Sequence, residues 1–205
     1  MTRIIAGQAR GRRLTVPRSG TRPTSDRVRE SLFASIESRL HADGRHWSEI
    51  AVCDLWAGSG ALALEAWSRG AIRVVAIDAS RAAVDAIAAN AAQLGALVGA
   101  PGVRVVRANV SGAVCSPPVG GCFDLVLADP PYEVPSDSIH RDLMSAWAAG
   151  WFAPDAIVVV ERSIRSSSPF PEVVSQVEQR AYGDTALWYG RVMTEAKTSS
   201  AVRST

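Results

Sequence analysis

Residues 51–69, AVCDLWAGSGALALEAWSR, read as one unit: an apolar strand, a turn carrying two glycines, and a helix. AVCDL (51–55) is apolar on both faces, as a strand in the middle of a parallel sheet must be. Gly58 and Gly60 permit a sharp reversal, and the alanine- and leucine-rich run over 59–69 favours helix. The unit recurs downstream. RVVAID (73–78) predicts a strand and RAAVDAIAANAAQL (81–94) a helix; VRVVRA (103–108) and FDLVLA (123–128) predict strands, residues 137–149 a helix, and AIVVVER (156–162) another buried strand. VVSQVEQR and TALWYGRV form an antiparallel pair joined at Y-G-D. Strands alternating with helices in this way imply an α/β fold with a doubly wound, mostly parallel, Rossmann-like sheet. Ligands of such sheets bind beyond the carboxyl ends of the strands. Two motifs, DLWAGSG (54–60) and DPPY (129–132), each follow a strand and are expected to face one cleft.

At 205 residues and 47% hydrophobic content the chain can bury a core of domain size. No apolar run approaches the ~20 residues of a membrane span, and MTRIIAGQARGRRL is too polar for a secretory signal. The three cysteines include no C-x-x-C pair, so neither a metal site nor a disulfide framework is predicted; Cys53 reads as a core thiol. A cytoplasmic monomer is expected.

The net charge of +2 conceals an asymmetry. Residues 1–30 hold eight arginines against Asp26 and Glu30, so the rest of the chain is net acidic. Lys197 is the only lysine. Arginine matches planar phosphate and base recognition, and its clustering predicts a polyanionic partner at this end. Residues 2–7 and 12–17 predict a small basic hairpin around G-Q-A-R-G-R. Residues 24–40 predict an amphipathic helix with Val28, Leu32, Phe33, Ile36 and Leu40 on one side and Arg27, Arg29 and Glu30 on the other. Arg10, Arg12, Arg13, Arg22, Arg27 and Arg29 are the candidate nucleic-acid contacts. The domain plan is thus a basic extension over 1–40, a main domain over 50–193, and a polar tail over 194–205 expected to be disordered.

Gly58-x-Gly60-x-x-Ala63, with Asp78 eighteen residues after Gly60, satisfies the dinucleotide fingerprint. Asp54, four residues before Gly58, argues for another ligand. Its carboxylate would repel a pyrophosphate and attract an ammonium group. S-adenosylmethionine has an ammonium, a sulfonium and a ribose diol but no phosphate. On this reading Gly58, Ser59 and Gly60 let the backbone approach the cofactor, Asp54 orients its amino-acid moiety, and Asp78 holds the ribose hydroxyls. Asn109 ends the third strand, where its carbonyl could accept from the adenine amine.

DPPY suits an amine acceptor. The lone pair of an exocyclic base amine is delocalised into the ring, and acceptors gripping both hydrogens expose it. Asp129 supplies one acceptor and the Pro130 carbonyl a second, with Pro131 stiffening the turn. Tyr132 offers a flat face on which a flipped base can stack. Guanine presents two donors side by side, N1–H and the 2-amino group, which suits a carboxylate; adenine presents a donor beside an acceptor. The motif therefore leans to guanine N2, with adenine N6 as the alternative. A non-catalytic RNA-binding assembly factor on the same fold is a further one.

RIIAGQARGRRL (3–14), RPTSDRVRESLF (22–33), DLWAGSGALALEAWSRGA (54–71), DPPY (129–132), GWFAPDAIVVVER (150–162) and YGDT (182–185) together resemble the RsmD-type bacterial enzymes. These are class I methyltransferases that act on guanine N2 of small-subunit (16S) ribosomal RNA. The resemblance implies S-adenosylmethionine as cofactor, seven strands with the last antiparallel, and RNA in an assembled small subunit or late intermediate as partner. It carries Asp54, Gly58, Gly60 and Asp78 to the cofactor and Asp129, Pro130 and Tyr132 to the target base. Trp56 in place of a smaller aromatic, aspartate rather than glutamate at 78, and Asn109 depart from the family pattern.

Overall fold

In the computed structural model, strands β3 (Ala51–Leu55), β4 (Arg73–Asp78), β5 (Val103–Arg107), β6 (Phe123–Ala128) and β7 (Phe152–Ser163) run parallel. The structure describes residues 2–16, 25–96, 102–118 and 120–193. β8 (Val174–Tyr182) and β9 (Thr185–Val192) complete a seven-stranded sheet of order β5-β4-β3-β6-β7-β9-β8. The last strand, β9, lies antiparallel between β7 and β8. The order reverses between β3 and β6, which is the switch point where a ligand crevice forms.

Alternation along each strand divides the core into two layers. Val52, Val74, Ala76, Leu125 and Val159 face one side, against helices α1 (Asp26–Ala42), α2 (Ala61–Ser68) and α3 (Arg81–Leu94). Cys53, Val75, Ile77, Val126 and Val158 face the other, against α4 (Val110–Ala113) and α5 (Ser136–Ala148). β3 is buried at all five positions, the carboxylate of Asp54 included. Helix ends follow local chemistry: Ser25 and Ser80 cap α1 and α3 by accepting from Val28 and Ala83, and Gly95 ends α3 in the left-handed region.

The expected hairpin is present but shorter. β1 (Thr2–Arg3) and β2 (Arg13–Leu14) pair over two residues each, where strands over 2–7 and 12–17 were predicted. The reason is tertiary. Buried Glu65 accepts from the Ile5 and Ala6 N–H groups at 2.7 and 3.0 Å, and Ser68 accepts from Gln8 and Ala9, so these donors leave the ladder. At Gly7, φ is +79°, and a Cβ there would lie 1.8 Å from the Ser68 carbonyl oxygen. Ile4, Leu14, Leu32 and Phe33 join the same core layer as the sheet, so the extension is packed onto the main domain.

Helix α1 begins at Asp26 rather than residue 24, and α2 at Ala61 rather than 59 because Ser59 and Gly60 belong to the turn. β7 starts at Phe152, four residues before its predicted start, across an irregularity between Phe123 and Leu125. A 3-10 turn at Trp47–Glu49 and the short α4 were not anticipated. The predicted tail over 194–205 lies outside the described residues. No helix among the described residues is long and apolar enough to cross a membrane.

Candidate active site

β3 and β6 are adjacent and in register, Leu55 opposite Ala128, so the segments that follow them emerge side by side. The Asp129 N–H donates to the Leu55 carbonyl at 3.4 Å, tying the start of DPPY to the start of the glycine turn. A cleft of about 240 Å3 opens there, lined by Trp56, Gly58, Asp78, Asn109, Asp129 and Pro131 among others. The two motifs therefore do share one cleft.

Trp56 and Gly58 have φ of +58° and +56°, and Gly60 has +77°. A Cβ on Gly60 would also press on Ile87 of α3 at 3.0 Å. For Trp56, the left-handed backbone costs about 1–2 kcal/mol, strain of a kind that concentrates at functional loops. Carboxylates hold the turn. Asp78 accepts from Gly58 N–H at 2.9 Å and from Ser80 N–H at 2.8 Å. Asp54 accepts from Ala63 N–H at 2.9 Å, near the start of α2. Asn90 in α3 donates to the Ser59 carbonyl at 3.0 Å while exchanging two bonds with the Thr15 backbone, so the hairpin reaches the turn through one side chain.

Asp54 lies under the turn rather than in the wall of the cleft; it is only 1% exposed and its Oδ1 has no partner. Burial pushes its carboxyl well above the usual carboxylate range, the Ala63 N–H opposes this, and the charges of Asp129 and Asp78 add to it. Two carboxylates, Asp78 and Asp129, thus line the cleft at this end of the sheet, and no basic residue is among the lining residues. That field fits a cationic ligand and disfavours a pyrophosphate. Asn109 lines the cleft as the N-cap of α4, its Oδ1 accepting from Ser111 N–H at 3.0 Å. The carbonyl expected to face an adenine amine is thus engaged in capping.

On the opposite side, Pro130 is buried and Tyr132 is 53% exposed, its hydroxyl 3.4 Å from Thr185 Oγ1 at the start of β9. Arg162, near the end of β7, donates to the carbonyls of Pro131 and Val134 at 3.3 and 2.6 Å. Sequence reasoning passed over Arg162 and Asn90. The signal for Asn90 was a polar residue interrupting an apolar helix, AAVDAIAANAAQL, whereas Arg162 stands beside Glu161 at the end of its strand and carried no such signal.

Of the candidate RNA contacts, Arg10, Arg12, Arg13 and Arg27 are exposed, with Arg12 donating to the Gln93 carbonyl at 2.6 Å. Arg22 lies outside the described residues. Arg29 is a correction: it is 1% exposed and donates to the Arg3 carbonyl and to Asp26 at 3.0 Å. It locks α1 to the hairpin and presents nothing to an RNA surface. Among the described residues no group of three or more His, Cys, Asp or Glu side chains could hold a metal.

The sheet order, the glycine turn and the cleft at the switch point define a class I methyltransferase fold. The chain belongs to the family described as conserved hypothetical protein 95, whose model matches residues 2–191, and is of the RsmD type. It is 35% identical over 168 residues to ribosomal RNA small subunit methyltransferase D of Escherichia coli K12, covering 82% of this chain and 77% of that protein. The solved yhhF protein of Escherichia coli matches with a TM-score of 0.78 at 30% identity, over 94% of this chain and 98% of its own. A Thermus thermophilus 16S rRNA N2 methyltransferase, solved with AdoMet and guanosine, shares the fold at a TM-score of 0.65 and 18% identity, over 84% of this chain and 44% of its own.

Proposed function

We propose that this protein methylates the N2 amine of a guanine in small-subunit (16S) ribosomal RNA, with S-adenosylmethionine as cofactor. The observation that carries the reading is the common cleft: adjacent strands deliver the carboxylate-held glycine turn and the rigid Asp129 loop to one opening. The name of the Escherichia coli relative supports ribosomal RNA as substrate.

The glycine turn and Asp78 would hold the cofactor, with Asp54 beneath bracing the turn through the Ala63 N–H and Asn109 at the adenosine end. S-adenosylmethionine, when bound, supplies an electrophilic methyl on a sulfonium. The rest falls to the acceptor side. Asp129 and the Pro130 carbonyl accept hydrogen bonds from the two N–H groups of the amine, which turns its lone pair toward the cofactor side of the cleft. The prolines keep those acceptors from rearranging, so the orientation is set before the base arrives. The exposed ring of Tyr132 stacks on the flipped base, a contact of about 1–3 kcal/mol. A carboxylate matches the adjacent N1–H and N2 donors of guanine better than the donor–acceptor edge of adenine. Exposed Arg10, Arg12, Arg13 and Arg27 serve the phosphate backbone, positioning the RNA without reading its sequence.

The reading is tested on small subunits from cells lacking the protein, incubated with purified enzyme and methyl-labelled cofactor and then digested to nucleosides. Label in N2-methylguanosine is expected. Label in N6-methyladenosine would favour the adenine alternative, and RNA binding without transfer would make the protein an assembly factor.

A further inference from the structure

Arg162 is out of character with its surroundings. It follows the apolar residues Ile157–Val160 of β7 and the buried Glu161, and is itself only 3% exposed. Its Nε has no partner, while its two terminal nitrogens donate to Pro131 and Val134. Buried charges seldom add stability over apolar side chains of similar size, so a guanidinium here calls for another explanation.

The loop it touches provides one. DPPYEVP (129–135) contains three prolines, so three of its residues offer a carbonyl without an N–H. The Val134 N–H donates to the Pro131 carbonyl at 3.0 Å and closes a turn, so Arg162 adds a second donor to that carbonyl and supplies one to the carbonyl of Val134. Register puts Arg162 in the right place. Ala128, the last residue of β6, pairs with Val160, so Arg162 lies two residues further along, beside the loop as it leaves the sheet. The next residue, Ser163, pairs with Thr185, which Tyr132 approaches.

We propose that Arg162 is the positioning residue of the acceptor loop: its planar fork spans the Pro131 and Val134 carbonyls and thereby fixes the direction in which Asp129 and the Pro130 carbonyl present themselves to the target amine. The inference rests on the functional reading above. Lysine cannot replace it, because an ammonium is a point donor and lacks the rigid fork that reaches two carbonyls at once.

The test compares wild type, Arg162→Lys and Arg162→Ala for cofactor affinity by calorimetry, thermal midpoint, and single-turnover methyl transfer to small subunits at saturating cofactor. Misplacing reacting groups by about 1 Å costs up to about 100-fold, so Arg162→Ala should lose about 10- to 100-fold in transfer rate with cofactor affinity unchanged. Added guanidinium ion should restore part of that rate, and Arg162→Lys should remain impaired. Should Arg162→Ala fail to fold, the lysine variant decides. Full transfer by a folded Arg162→Lys overturns the proposal, as does a rate loss that parallels lost cofactor affinity. A wild-type protein that transfers no methyl overturns the functional reading and the proposal with it.

Discussion

The glycine turn at residues 56–60 has its Gly58 N–H held by a carboxylate, whereas the loop at 129–135 has two of its carbonyls held by a guanidinium. Backbone composition explains the difference. A turn leading into a helix has donors to spare, because the first N–H groups of the helix lack intrahelical partners. Asp78 takes Gly58 and Ser80, and Asp54 takes Ala63. A proline-rich loop has more acceptors than donors, and Arg162 donates to two of its carbonyls, that of Pro131 shared with the Val134 N–H. Each side is fixed by a charge opposite to that fixing the other. On the proposed function, the carboxylate of Asp78 beside the turn suits a cationic cofactor, and Asp129 and the Pro130 carbonyl, carried by the held loop, suit an amine. On the proposed reading the two sides are mechanically separate, and single substitutions can show whether they are.

The largest effect is expected at Asp129. Replacing it by alanine removes the carboxylate proposed to accept from the reacting amine and should slow methyl transfer by about 100- to 1,000-fold, a loss typical of removing one preorganised polar group. Calorimetry should find cofactor affinity little changed, and equal losses in both would mean that the two sides are not separate. Asp78→Ala should behave in the converse way. Charge-assisted hydrogen bonds contribute about 1.5–3 kcal/mol each, so loosening the turn should weaken cofactor binding by about 10- to 100-fold while the rate at saturation is largely kept. A loss of saturated rate with affinity intact would reverse the roles assigned to the two loops. The smallest effect is expected outside the cleft. Neutralising Arg10, Arg12 and Arg13 together should flatten the slope of log affinity for RNA against log salt by about 2, at about 0.7 per lost phosphate contact. An unchanged slope would remove the hairpin from the RNA surface.

The sheet was legible because its strands are apolar on both faces and its helices carry their own punctuation. Helix α3 spans residues 81–94 as predicted, with Ser80 and Gly95 marking its ends, and β3, β4 and β6 also match at both ends. The hairpin was less legible, since its length depends on donors captured by Glu65 and Ser68, some sixty residues away. Arg29 was misread although the spacing was available: with Phe33, Ile36 and Leu40 it falls on the buried side of α1, and a charged side chain on that stripe pointed to an internal partner. In the site, both loops were readable because a parallel sheet brings the ends of neighbouring strands together. Arg162 was not, because the direction of an arginine near a strand end depends on the register of β7 against β6 and β9, which local sequence does not encode.

The most direct measurement is a crystal structure of the protein with S-adenosylhomocysteine and guanosine. The account predicts guanosine N2 within hydrogen-bonding distance of an Asp129 carboxylate oxygen, about 2.7–3.2 Å, with the cofactor product against Asp78 and the glycine turn. Guanosine bound elsewhere, or an Asp129 side chain turned out of the cleft, would contradict it.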